Sequence, residues 1–306
     1  MIRYIIQRVL AALVTIWITT IAVTLLIHAV PGDPVRIMYA KFQSTPEQIE
    51  AVRIALGLDQ PIYIQYGLYV SRLFQGDLGR SIVGDQPVLD ILLTRFPPTL
   101  LLATTSLVIA VVIGLSLGFL AAYKRGTVID VGAMVLAVLG VSIPHFWLGL
   151  LLLFFFALQL GWLPVAGSDL RSLILPALTL GLANAAVLAR LTRSAMIDIF
   201  DQDFVRTARA KGLPKTMVLY RHALRAGLVP IVSMMGLQFA YMMGGAIVVE
   251  NVFAWNGVGR LAIEAVFARD YPLIQGFILF FATVIVLVSL VIDLLYAVLD
   301  PRIRYS

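Results

Sequence analysis

The sequence predicts an all-helical, polytopic membrane protein with six transmembrane helices and a helical external segment between spans 1 and 2. Three observations predict it. Of 306 residues, 60% are hydrophobic and 13% charged, against about 25% charged in soluble domains. Mean hydropathy is +0.95. Long uncharged runs recur, each able to cross about 30 Å of hydrocarbon at about 1.5 Å per residue.

Composition also excludes whole classes of function. The chain has no cysteine, so disulfides, thiolate metal centres and thiol catalysis are ruled out. A net charge of +6 and pI near 9.7 invite a nucleic-acid reading. The cytoplasmic loops of membrane proteins concentrate Lys and Arg for another reason, orientation, and no basic stretch here interleaves with exposed aromatics on a soluble fold. No nucleic-acid partner is expected.

The first span is Val9 to Val30, 22 residues without Asp, Glu, Lys or Arg, preceded by Arg3 and Arg8. A signal peptide has a shorter apolar core, about 7–15 residues, and a small-residue cleavage site; this run passes instead into PGDP. Residues 1–30 therefore form the N-terminus and a retained span, and residues 31–98 the external segment. Within that segment Thr45-Pro46-Glu47-Gln48 reads as a helix start, with Thr45 as N-cap, Pro46 at the first helical position and Gln48 closing a capping box. That helix should end at Gly57. Residues 61–74 and 87–96 form two more amphipathic segments, the second stopped by Pro97-Pro98.

Residues 99–306 hold the remaining five spans, at about 99–122, 129–160, 172–194, 228–249 and 273–298. Pro144 inside the span at 129–160 predicts a kink or a tilted helix. Fourteen basic residues fall on the side of the N-terminus and three (Arg171, Arg260, Arg269) on the short loops of the other side, with the long 31–98 segment left out because long translocated stretches escape the charge rule. Both termini are therefore expected in the cytoplasm.

Few residues invite chemistry. GLSLG (114–118) matches a nucleophile elbow, but the elbow needs a strand-to-helix turn with a His and an acid nearby. Here Ser116 lies within an apolar helical run. The same residues spell G-x-x-x-G, a pattern for close helix packing, and packing is the expected role. The three histidines show no paired spacing that would bind a metal. His145, Asn184 and Asp293 are candidates for lining a cavity, because polar groups at membrane depth are costly unless used or paired. Lys215 alone of the four lysines precedes Ser or Thr, and Pro214 precedes it. The chain has no G-x-x-x-x-G-K-[ST] phosphate loop; if ATP drives its work, another subunit binds it.

Residues 203–227, DFVRTARAKGLPKTMVLYRHALRAG, collect six Lys and Arg against one acid. Periodicity puts Phe204, Val205 and Ala208 on one face of a short helix and Arg206, Arg209 and Lys211 on another. Gly212 permits a sharp turn, and Pro214 opens a second short helix. The small residues Ala208 and Gly212 would let a partner approach closely. A loop that serves orientation alone is the competing reading.

RTARAKG resembles the E-A-A-x-x-x-G loop of permease subunits from binding-protein-dependent ABC importers, in its peptide and nickel branch, and RHALR (221–225) resembles that branch's R-H-x-L-R. PGDP (31–34), LGLDQPIYIQYG (57–67), GDLGRS (76–81), WLPVAG (162–167), ILPALTLG (174–181), VVENVFAWNGVGRL (248–261), RDYPLIQ (269–275) and LDPRIR (299–304) extend the likeness over nearly the whole chain. Ala226 stands where Asn is usual, Asn256 where Pro is usual and Ser289 where Asn is common.

The resemblance implies a type I importer fold in a bacterial or archaeal cytoplasmic membrane. It implies a homologous second permease, two ABC ATPase subunits that carry ATP and Mg, and an external substrate-binding protein, with membrane lipid around the chain. No cofactor, metal or catalytic residue is expected in this chain itself. Arg206, Thr207, Ala208, Arg209, Lys211, Gly212 and His222, within the cytoplasmic loop 195–227, are expected to couple to the ATPases. Glu250, Phe253, Trp255, Gly257, Arg260 and Asp270 are expected to face the binding protein or gate the path. Di- or oligopeptides are the expected cargo, with glutathione, nickel and metal chelates as alternatives. The remaining alternatives are an intramembrane hydrolase using Ser116 and an ion-coupled transporter using Asp293 or His145.

Overall fold

The computed structural model describes residues 2–29, 35–36, 45–55 and 58–299. PGDP, Gly57 and the tail carrying Arg302 and Arg304 lie outside the described residues. Among those described, the regular elements are helical, with one isolated bridge between Arg80 and Pro87. The helices are α1 (Ile2–Ala29), α2 (Pro46–Ala55), α3 (Ile62–Phe74), α4 (Val88–Tyr123), α5 (Val128–Ser142), α6 (His145–Leu152), α7 (Leu170–Phe200), α8 (Asp203–Ala210), α9 (Arg225–Val252), α10 (Val258–Ala268) and α11 (Tyr271–Leu299). π-helical turns occupy Leu153–Gln159 and Val218–Leu224.

Four helices among the described residues are individually long and apolar enough to cross a membrane: α1, α4, α7 and α11. The pair made of α5 and the helix from His145 to Gln159, bent by 102° at the break, is apolar enough to be a fifth if the two cross as one broken span and not as a re-entrant loop. The 28-residue α9 covers the run expected to span at 228–249, but it is not among the helices that meet this criterion within the described residues. The break is far larger than the kink expected at Pro144. Ile143 is extended at ψ 121° and Pro144 at ψ 138°, because the proline ring disfavours helical geometry in the residue before it.

The segment between the first two spans follows the sequence at one helix start. Thr45 N–H donates to Gln48 Oε1 at 2.9 Å and Gln48 N–H to Thr45 Oγ1 at 3.3 Å, the two arms of a capping box. It departs at Pro97-Pro98. The segment opening at Val88 does not stop there but continues as one 36-residue helix. The two prolines remove the donors that would bond the Leu93 and Thr94 carbonyls. Both residues are exposed and lie before the apolar stretch, where water can take those carbonyls. Fully buried Val88 and Leu92 anchor the helix before the prolines, and buried Thr99 and Leu102 anchor it after them.

The chain divides into two compact units. One comprises Pro98–Trp255 with the segment from Val291, the other Ile2–Pro97 with Asn256–Leu290. In the first, α7 is the central strut. Leu175, Leu180, Leu188 and Met196 along it are essentially inaccessible. Asp169 caps its start, accepting from the Ser172 hydroxyl and from the Ser172 amide at 2.9 Å, and these hydrogen bonds hold the Asp169 carboxyl below its ordinary range. In the second unit, Phe96 stacks edge-on against Phe280 at 5.4 Å, and Gln275 donates to the Val23 carbonyl at 2.9 Å.

The G-x-x-x-G of α4 packs as its sequence suggests. A methyl group added at Gly114 would lie 2.8 Å from the Ala185 carbonyl oxygen, and one at Gly118 would come still closer to that of Ala189. Ser116, between them in sequence, is exposed. Gly118→Ala should therefore destabilise the folded chain by about 1–3 kcal/mol through overpacking, whereas Ser116→Ala should leave stability and uptake unchanged. Thermal unfolding of the purified variants checks stability and an uptake assay checks transport; lost uptake in Ser116→Ala would revive the hydrolase reading.

Candidate functional site

The basic loop forms a defined surface. In α8, Val205 and Ala208 are buried, while Phe204, Arg206, Thr207 and Arg209 are exposed. Val205 and Ala208 join Ala122, Met196, Ile199, Val218, Ala223 and Ile231 in one cluster. This corrects two expectations. Phe204 does not share the buried face, because it lies to the side of the stripe made by 205 and 208. Ala208 is not available to a partner: its small side chain seats α8 on the chain's own core.

Gly212 ends α8. Its φ is +74°, a region open to glycine without steric cost, and an added methyl there would meet nothing within 4 Å. Leu213 N–H bonds back to Ala208 O at 3.4 Å and Gly212 N–H to Arg209 O at 3.0 Å, the pairing of a Schellman stop. The glycine is thus required by the turn itself. The second short helix expected after Pro214 is not separate, since Lys215–Met217 runs through the π-helical turns into α9. Arg206, Arg209, Lys211, Arg221 and Arg225 remain exposed around this turn. His222 lies in the π-helical segment, with its side chain outside the described residues.

The three cavity candidates do not converge as free polar groups. Asn184 is buried in α7, donating to Leu180 O at 2.7 Å and accepting from Gln238 Nε2 of α9. Its amide is committed to holding two helices together. His145 opens α6 and is half-buried, close to Gly245 of α9. Asp293 is half-buried in α11 and already engaged.

Of the residues expected to face a binding protein, Glu250, Phe253, Trp255, Gly257 and Asp270 are buried and Arg260 is half-buried. Their roles within the chain explain this. Glu250, fully inaccessible, accepts from Thr99 Oγ1 at 2.5 Å. Trp255 Nε1 donates to Pro98 O at 3.0 Å, and Arg260 pairs with Glu264 at 2.8 Å. Asp270 accepts from Ser81 Oγ at 2.5 Å, from the amides of Ile82 and Val83 at 3.1 and 3.3 Å, and from that of Leu273 at 3.2 Å. It fastens the turn just after GDLGRS, where the Arg80 guanidinium holds the exposed Asp85 carboxyl below its usual range. The surface offered between 250 and 270 is made instead by Asn251, Asn256, Glu264, Val266, Phe267 and Arg269.

Sequence reasoning missed an ion pair. Asp130, buried in the first turn of α5, receives Arg193 of α7 through Nε at 2.5 Å and Nη2 at 2.8 Å, and the Gly126 amide at 3.0 Å. An acid opening a predicted span, with an arginine closing another, was the available signal. The pair ties α5 to α7 just ahead of the basic loop.

Two family descriptions match the chain: binding-protein-dependent transport system inner membrane component over residues 114–305, and the N-terminal membrane component of the same systems over 1–103. The chain belongs to this family: it is a permease subunit of an ABC importer. It is 48% identical over its full length to a protein named glutathione transport system permease protein GsiC in Escherichia coli strain K12, and 47% identical to GsiC of Shigella flexneri serotype 5b, covering 100% of each. Among solved structures, the inward-facing MetNI methionine ABC transporter aligns with a TM-score of 0.56 at 17% identity, over 69% of this chain and 96% of that one. An amino acid ABC transporter with histidines aligns with a TM-score of 0.53 at 19% identity, over 70% and 94%; at these identities the likeness concerns the fold. The protein is thus a multi-pass inner-membrane transport component rather than an enzyme. It belongs to a class that works with ATPase subunits and a binding protein.

Arg193→Gln should destabilise the protein by about 1–3 kcal/mol, because Asp130 loses its charged partner and keeps only the Gly126 amide. The double variant Asp130→Asn/Arg193→Gln should recover part of that loss. Thermal unfolding of both variants measures the difference, and equal losses would show that the pair is not coupled.

Proposed function

We propose that the chain pairs with a homologous second permease, that both termini face the cytoplasm, and that two ABC ATPases, holding ATP and Mg, dock on the basic surface around α8 and residues 211–225. The exposed Arg206, Thr207, Arg209, Lys211, Arg221 and Arg225 support this reading, as does the asymmetry of fourteen basic residues against three on the short loops of the other side. Ala208 and Gly212 shape that surface from within.

The geometry suits transmission of force. ATPase closure favours the arrangement that draws the docking surfaces together, and a ligand shifts an equilibrium only by its differential affinity for the two states. The α8 cluster includes Met196 and Ile199 of α7 and Ile231 of α9. Displacement of α8 therefore acts on both helices, which Asn184 and Gln238 join further along. A loaded external binding protein should reciprocally promote nucleotide binding within.

For cargo we propose small peptides, glutathione first among them. The observation that carries this is the full-length 48% identity to permeases named for glutathione transport. Dipeptides and longer peptides are the second reading, favoured by the R-T-A-R-A-K-G form of the loop.

Arg209→Glu reverses an exposed charge that packs against nothing in the cluster. It should reduce co-purification of the ATPases by about tenfold, the loss of one or two charge-assisted contacts, while membrane insertion stays normal. Undiminished co-purification would remove the docking assignment. For cargo, reconstituted transporter with its binding protein should take up glutathione in an ATP-dependent way. Uptake of dipeptides with none of glutathione would replace the first reading with the second.

A further inference from the structure

A cavity of about 70 Å³ lies in the unit formed by Ile2–Pro97 and Asn256–Leu290. Its wall includes Thr24 and His28 of α1, Gln65, Tyr69 and Arg72 of α3, and Asp77. Most of the polar groups are already committed within the chain. Thr24 Oγ1 donates to Thr20 O at 2.9 Å, His28 Nδ1 to Thr24 O at 3.2 Å and Gln65 Nε2 to Gln60 O at 2.8 Å, while Asp77 Oδ1 accepts from the Gly79 amide at 2.8 Å.

Two groups are not committed. The Tyr69 hydroxyl is buried and has no hydrogen-bond partner, a state that costs about 1–3 kcal/mol when nothing fills it. Burial raises its pKa to about 12, so the phenol keeps its proton and is a donor. Half-buried Arg72, three residues on and on the same face of α3, makes no ion pair or hydrogen bond with its guanidinium among the described residues. A hydroxyl donor beside a planar cation is a pairing suited to an oxyanion, and a cavity of this size has room for one tetrahedral group or a few waters.

Depth narrows the source. The apolar stretch of α1 ends at Leu26, so Thr24 and His28 bracket the edge of the hydrocarbon. On α3, Ile62, Tyr63, Leu68 and Phe74 are exposed apolar side chains, as in a helix lying in the headgroup layer. We infer that this cavity binds a phosphate oxyanion, with Arg72 and the Tyr69 hydroxyl as its two donors, supplied by a phospholipid headgroup or by free phosphate. Asp77, exposed, lines the same space with one oxygen bonded to the Gly79 amide; its charge acts against the oxyanion, and the two donors must outweigh it.

The test uses the full-length chain purified with its partner subunits. Native mass spectrometry after exchange into phosphatidylglycerol bilayers counts retained lipid, and equilibrium dialysis of the delipidated complex against inorganic phosphate measures the free ion. Tyr69→Phe keeps the packing, and Arg72→Gln keeps most of the side-chain length. Each should weaken occupancy by about tenfold, the worth of one charge-assisted hydrogen bond. Loss of retained lipid in both variants identifies a headgroup as the source. Loss of saturable phosphate binding without a change in lipid identifies the free ion. If neither variant alters either measurement, no oxyanion site exists here.

Discussion

Helix α7 is approached closely by glycines of three neighbouring helices, and the rest of its unit depends on that. Gly114 and Gly118 of α4 meet the Ala185 and Ala189 carbonyls, Gly140 of α5 meets Ala186, and Gly227 of α9 meets Met196. Inside a bilayer the hydrophobic effect does not drive helices together. Close van der Waals packing through small residues does much of that work. Polar contacts then fix rotation and register: Asp130 with Arg193 on one helix pair, Asn184 with Gln238 on another. Each removes a polar group from contact with hydrocarbon, where an unmatched one costs most.

This strut bears on transport through its neighbour in the chain. Asp201 and Gln202 are all that separate α7 from α8. Through Val205 and Ala208 the basic surface rests on the same cluster that holds the end of α7 and the start of α9. The contact seated against the core is apolar and small, and the face left outward is charged. A partner can therefore grip the outward face without disturbing the packing beneath, and displacement passes inward through close-packed atoms.

Local chemistry was legible in the sequence, and side-chain direction was only partly so. The capping box at Thr45, the glycine turn at 212 and the α4 glycine pair followed from spacing, because each is set within a few residues. Pro97-Pro98 misled, since a proline stops a helix only where its lost hydrogen bonds cannot be made up by water or by packing on either side. Ala208 misled differently: a small residue permits close approach, and nothing local says whether the neighbour is another chain or its own. Glu250 and Asp270 lay in a stretch that reads as an exposed loop, yet their partners, Thr99 and Ser81, are more than 150 residues away in the sequence. No local pattern carries that information.

The π-helical turns at Val218–Leu224 carry a mechanical consequence. They lie between the Gly212 stop and the first α-turn of α9. Such wide turns hold a surplus residue, are rare, and occur mostly at functional sites. Rewinding by one residue there would change the helix by about 100° of rotation and about 1.5 Å of rise. A pull on the basic surface could therefore reach α9 as torque as well as translation, turning Gln238 about the helix axis relative to Asn184.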